Sequence, residues 1–196
     1  MSEFDRQKWN AKYQTPENAP SAPSQVLVRL IEKLQKLRNG GLGKALDLAS
    51  GGGRHGIFLA GLGYVVTLCD ISEVGQRVAR ERAAAKGVLV KSLVHDLEEG
   101  GQVEGAWDLI VSVCYLHRPL FEKIPGMLSP GGYLVVVQPT QTNLERHDRP
   151  PAPFLLENQE LPRLAESLEV VHYEEGWLED GRYDAALIAR KPMEPR

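Results

Sequence analysis

The sequence predicts an α/β domain, Rossmann-like and doubly wound around a mostly parallel sheet, on three observations. Five nearly continuous apolar runs, ALDLAS, YVVTLCD, VLVKSLVHD, WDLIVSVC and YLVVVQ, alternate with stretches of helical period or turn chemistry. Strands that alternate with helices form parallel sheets, and strands covered by helices on both faces lose the apolar–polar alternation of half-exposed ones. The first run leads directly into Gly51-Gly52-Gly53-Arg54-His55-Gly56 and then into a helical stretch. Near the end, Asp180-Gly181 lies between two apolar runs, a hairpin signal that closes the sheet with an antiparallel pair.

The elements follow in order. Phe4, Trp9 and Tyr13 recur at roughly helical spacing, and the three prolines of TPENAPSAPS then exclude a helix interior, so residues 1–23 read as a short helix on a tether. Ser24 can cap a second helix with the stripe Val26, Leu27, Leu30, Ile31, Leu34 and Leu37, stopped by Asn39-Gly40-Gly41. Ser72 caps and Gly87 stops a helix between the second and third runs. Beyond Gln138 a loop carrying Arg146, His147, Asp148, Arg149, Pro150 and Pro151 leads to a helix near 157–166 and then to the closing hairpin. The chain is read as one domain over 1–196, with the core spanning 24–191.

Composition narrows the function classes. A chain of 196 residues with 42% hydrophobic content can fill one core. Its net charge of −3 spreads no basic field for nucleic acid, so no nucleic-acid partner is expected from charge alone. Cys69 and Cys114 each lie in an apolar run, where a thiol packs as a small hydrophobe, and a disulfide framework is not expected. MSEFDRQKW lacks the apolar core of a signal peptide, and no apolar stretch is long enough to span a bilayer. A cytoplasmic protein without a membrane partner is expected, with its oligomeric state left open. No His and Cys pair has metal-ligand spacing, so no metal is expected.

The glycine loop has the G-x-G-x-x-G pattern in the strand-to-helix context that the pattern requires. Glycines there reach positive φ and let a ribose or phosphate approach the backbone and the helix N-terminus. Asp70 ends the second strand nineteen residues after Gly51, placed to accept from both hydroxyls of a ribose. Asp96 ends the third strand, at the sheet edge where an adenine would lie. Asp47 sits mid-strand among apolar neighbours, where a carboxylate must be hydrogen-bonded, and is read as bracing the loop. These features fit a nicotinamide dinucleotide and S-adenosylmethionine alike. A dehydrogenase of this type normally adds a substrate domain, and the remaining residues supply only a helix and a hairpin.

The run KALDLASGGGRHGIFLAGLGYVVTLCDIS resembles the first two motifs of class I S-adenosylmethionine-dependent methyltransferases, especially the tellurite-resistance and thiopurine methyltransferase-like group. KWNAKY resembles the N-terminal lid of that group, and YLHRPLFEKIPGMLSPGGYLVVVQ its fourth and fifth strand units. The resemblance runs from Trp9 to Lys191 and implies a seven-stranded sheet ending in a reversed hairpin. It also implies that Ser50, Gly51 and Gly53 line the methionine and ribose part of the cofactor, Asp70 with Ile71 the ribose, and Asp96 with Leu97 the adenine. Many relatives carry cysteine or glycine at the position of Ser50.

Methyl transfer needs two partners held in line and water excluded. Tyr115, Leu116, His117 and Arg118 follow the fourth strand, at the strand ends where ligands of open α/β sheets bind. His117 is the expected base and Tyr115 its companion, while Tyr13, Arg118 and Arg146 are the expected acceptor contacts. The acceptor is expected to be a small molecule. Methylation of protein or nucleic acid through Arg146–Arg149, or an inactive cofactor-binding sensor or partner subunit, are the alternatives.

Overall fold

The computed structural model describes residues 3–15, 19–37, 42–99 and 103–193. Its strands are β1 (Lys44–Leu48), β2 (Val65–Asp70), β3 (Val90–Val94), β4 (Trp107–Val113), β5 (Leu128–Pro139), β6 (Glu169–Trp177) and β7 (Tyr183–Arg190). They form one sheet in the order β3-β2-β1-β4-β5-β7-β6. β1 to β5 pair in parallel, whereas β7 pairs antiparallel with both β5 and β6. The strand order reverses between β1 and β4, and their C-terminal ends diverge into the crevice where open α/β sheets take ligands.

Side chains alternate across each strand, and each face has its own helices. Ala45 faces α2 (Gln25–Leu37), α3 (Arg54–Gly61) and α4 (Glu73–Ala85), in a core with Leu27, Leu30, Ile31, Leu34, Leu59 and Ala79. Leu46 and Leu48 face the short helices α5 (Arg118–Phe121), α6 (Ile124–Met127) and α7 (Glu160–Leu164), through Leu120, Phe121, Met127 and Leu161. The remaining helix, α1 (Glu3–Tyr13), buries no residue fully. β5 is buried from Gly132's neighbour Tyr133 to Pro139, as the continuous apolar run predicts, whereas the edge strand β3 is only half covered.

Several expectations shift. Five of the six α2 stripe residues are buried, but Leu37 is 48% exposed. The Asn39-Gly40-Gly41 stop lies outside the described residues. α4 starts and stops as predicted, with Ser72 Oγ accepting from Gly75 N–H and Gly87 at φ 66°. The closing hairpin turns through residues 178–182 rather than two residues, because Leu178 N–H donates to the Arg182 carbonyl outside the Asp-Gly pair. Cys69 packs in the core, but Cys114 is exposed: it stands past the end of β4 at φ 57°, where the chain turns off the sheet. No helix among the described residues is long and apolar enough to cross a membrane.

Asp47 joins the sheet to α3. Its side chain is 1% exposed, and Oδ2 accepts from Gly56 N–H at 2.8 Å, one of the first-turn donors a helix cannot satisfy internally. Burial pushes its carboxyl up to about 7, with Asp70 adding to the rise and the Gly56 hydrogen bond and Arg54 opposing it. The folded protein therefore holds this proton to higher pH than the unfolded chain, whose carboxyl titrates near about 4. Its contribution to stability falls as pH rises from about 4 toward 7 and is level above. Asp47→Asn cannot ionise and still accepts from Gly56. Urea melts at pH 4.5, 6 and 8 are expected to show the variant gaining on the wild type as pH rises; a difference independent of pH would contradict this account.

Candidate functional site

The crevice is built from the glycine loop upward. Gly53 caps α3 at φ 77°, and a Cβ there would meet Ala79 at 2.7 Å. Gly51 has φ 52°, and a Cβ on it would overlap the Tyr13 hydroxyl. Both positions combine left-handed backbone with close approach, and only glycine tolerates both. Gly51 N–H donates to Asp70 Oδ2 at 2.7 Å, and Ser72 N–H donates to Oδ1 at 2.8 Å. Asp70 is thus tied to the loop of β1 and to the cap of α4 at once. Burial raises its pKa, while the two backbone hydrogen bonds and Lys12 offset the rise.

A second brace was not legible from the sequence. Gln76, fully buried on α4, donates from Nε2 to Ser50 Oγ at 2.8 Å and accepts from Ser92 Oγ at 2.6 Å. Ser92 accepts in turn from Arg80. Arg82 reaches the carbonyls of Ala19 at 3.0 Å and Gly52 at 3.4 Å, and so links the tether to the glycine loop. Only a tertiary position distinguishes Arg82 from Arg77 on the same helix.

α1 lies over this loop. Asn10 Oδ1 accepts from Ser72 Oγ at 2.7 Å, and the Tyr13 ring covers Gly75 as well as Gly51. Burial, then Asp70, raises the Tyr13 pKa. Lys12 stacks over Trp9 at 4.5 Å, and its pKa is lowered by desolvation and then by Arg54 and Lys8. Arg54, the first residue of α3, thus repels Lys12, while Asp70 attracts it. Neither cation forms an ion pair with a carboxylate among the described residues.

At the ends of β2 and β3 a cleft of about 350 Å³ is lined by Ile71, Val94, His95 and Asp96, with Glu3 and Arg6 of α1 above. Asp96 Oδ1 accepts from Glu98 N–H at 2.9 Å. Leu97 does not line this cleft: its side chain is buried in the core. The Tyr115 hydroxyl and His95 Nε2 are buried without hydrogen-bond partners among the described residues. Burial, then Glu98 and Asp96, raises the Tyr115 pKa, and its ring packs against the core cluster around Leu120 and Leu97.

On the other side, His117 caps α5 and makes no side-chain capping bond. Arg118 is engaged within the protein. Its Nε and Nη2 grip both oxygens of Glu160 at 2.5 and 2.8 Å, and Nη2 also reaches the Leu155 carbonyl at 3.1 Å. A bidentate pair of this kind anchors the 152–160 segment to α5. Arg146 stacks over Trp177 with its guanidinium carbon 3.6 Å from the ring centre. A second cleft, about 290 Å³, opens at the ends of β4 and β5 between Cys114, Gln138, Phe154, Arg149 and Arg182. The structure thus brings Asp47, Ser50, Gly51, Gly53, Asp70, Ile71, Asp96, Tyr13 and Tyr115 around one crevice, and leaves Arg118 and Arg146 committed to partners beside it.

Residues 45–132 match the family described as a methyltransferase domain. The chain is 33% identical over 136 residues to ribosomal RNA small subunit methyltransferase G of Burkholderia vietnamiensis, covering 64% of this chain and 59% of that protein. It is 26% identical over 171 residues to the probable S-adenosyl-L-methionine-dependent methyltransferase TehB of Haemophilus influenzae, covering 76% of this chain and 57% of that one. The chain thus spans under two thirds of the length of these curated relatives. Among solved structures it superposes on TehB of Haemophilus influenzae with a TM-score of 0.70 at 21% identity, covering 93% of this chain and 67% of that one. On the N-methyltransferase NodS of Bradyrhizobium japonicum, in complex with S-adenosyl-L-homocysteine, the TM-score is 0.72 at 17% identity, covering 95% and 98%. The matched stretch contains the glycine loop, so residues 45–132 match a methyltransferase domain, and the chain as a whole, with its sheet closed by the reversed hairpin, shares the fold of TehB and NodS.

Proposed function

We propose that the protein transfers a methyl group from S-adenosylmethionine to a small-molecule acceptor. The observation that carries the reading is the Asp70 carboxylate. Each of its oxygens accepts one backbone N–H and keeps lone-pair capacity for one hydroxyl of a ribose. The remaining groups fit the cofactor's other ends. Lys12 and Arg54, which form no ion pair among the described residues, suit the carboxylate of its methionine part. The unpartnered Tyr115 hydroxyl and His95 Nε2 suit the polar edge of adenine beside Asp96 and Ile71. Ser50, braced by Gln76, holds the loop in the shape this requires, with Asp47 behind it.

The cofactor supplies an electrophilic methyl group on a sulfonium, so the protein's work is to hold, orient and exclude water. Tyr13, seated on Gly51 and Gly75, shields the loop from solvent. Arg118 positions the acceptor side through Glu160 instead of binding the acceptor. In this reading His117 receives the proton of an acceptor that must lose one, a contribution of roughly 10²–10⁴-fold. The identity to an RNA methyltransferase favours RNA as a second acceptor class. The net charge of −3 favours the small molecule.

Methyl-labelled S-adenosylmethionine, incubated with pooled metabolites, thiols, tellurite, total RNA and cell protein, is expected to label the small-molecule fraction. Label in RNA would establish the second class, and no label anywhere would leave only cofactor binding. Asp70→Ala is expected to weaken S-adenosylhomocysteine binding by about 1.5–3 kcal/mol, the value of hydrogen bonds to a charged group. His117→Ala should leave that affinity within a few-fold and reduce turnover. A His117→Ala protein that loses cofactor affinity would assign His117 to the fold instead.

A further inference from the structure

We infer that the second cleft is a specificity site for a small organic anion that also carries an O–H or N–H donor. The inference rests on the methyltransferase reading above and names the acceptor's chemical class. The cleft opens at the ends of β4 and β5, and β4 is the neighbour in the sheet of β1, which leads into the glycine loop.

The polar groups of its lining are mostly committed. Asn143 donates from Nδ2 to the carbonyls of Thr140 and Tyr183 and accepts from Tyr183 N–H at 3.0 Å. His147 Nε2 is bonded to the Gly181 carbonyl at 2.9 Å. Arg182 pairs with Asp180 at 3.1 Å and with the buried Asp184 at 3.2 Å, so its charge is balanced from within. Two groups remain, and their demands are opposite. Arg149 is exposed and has no ion-pair partner among the described residues, which leaves one positive charge at the mouth. Gln138 is 3% exposed, and its Nε2 donates to the Phe154 carbonyl at 2.9 Å. That bond fixes the amide with Oε1 as the other end, and Oε1 is buried without a partner. A buried acceptor left unsatisfied is costly, and a ligand donor removes the cost.

Size and surface select an organic body. The volume of about 290 Å³ is nearly twice the roughly 150 Å³ cavity that takes up benzene, and far more than a bare inorganic oxyanion fills. Phe154, 59% exposed, stands in the wall with Pro139 and Pro150 and offers a flat apolar surface. A substituted ring with a carboxylate toward Arg149 and a hydroxyl or amino group toward Gln138 satisfies every unengaged group at once.

Calorimetric titration of the protein loaded with S-adenosylhomocysteine tests this with 4-hydroxybenzoate as probe, and with 4-hydroxybenzamide, 4-methoxybenzoate and sodium selenite as comparators. The hydroxybenzoate is expected to bind at least ten-fold tighter than each comparator. Arg149→Gln, a surface change that leaves the core intact, should abolish the preference for acid over amide. Gln138→Met should abolish the preference for hydroxyl over methoxy. Equal binding of acid and amide, binding of selenite alone, or no binding of any probe to a protein that still takes up S-adenosylhomocysteine would overturn the inference and leave the cofactor reading standing. Failure to bind S-adenosylhomocysteine itself would overturn both.

Discussion

The two backbone hydrogen bonds accepted by Asp70 are the constraint on which the rest of the site depends. One holds the first glycine of the loop after β1, and the other holds the residue that caps α4. A single buried carboxylate therefore sets the spacing between two neighbouring strand ends and the helices that leave them. Its burial raises its pKa, and the two donors, together with Lys12, oppose the rise. Because the same oxygens have further lone pairs, the anchoring of the loop and the proposed recognition of a ribose are one device.

Charge in the crevice is arranged around that device. Asp47 lies behind the loop and pins α3, while Arg54 opens that helix and Lys12 arrives from α1. Arg54 repels Lys12 while Asp70 attracts it, and in the proposed function the cofactor's own carboxylate adds a further opposite charge. The docking of α1 through Asn10 and Tyr13 is small, with no fully buried residue, and elements held by so few contacts are the ones that open locally. The covering helix is therefore suited to admitting a ligand to the loop beneath it.

Much of this was legible in the sequence because strand ends and turns carry local signatures. The apolar runs, the glycine loop, the Ser72 cap and the hairpin each depend on neighbours in the chain, and each forms. Asp47 and Asp70 were legible because an acid at the end or middle of an apolar strand has few ways to be satisfied. What depends on distant partners was not visible. Gln76 and Arg82 look like ordinary polar positions on an amphipathic helix until Ser50 and Ala19 are brought beside them. Arg118 next to an expected base reads as an acceptor contact, yet Glu160, forty-two residues away, takes its Nε and Nη2 edge. Tyr115 and His117 are two residues apart, but the Tyr115 hydroxyl is buried while His117 stands at the cap of α5.

The central claim is that the Asp70 and glycine-loop cradle is built for an adenosyl amino acid and not for a dinucleotide. Calorimetric titration of the purified protein with S-adenosylhomocysteine and, separately, with NAD tests it most directly. The account predicts saturable binding of S-adenosylhomocysteine and little heat from NAD at the same concentrations. Tighter binding of NAD than of S-adenosylhomocysteine would contradict it.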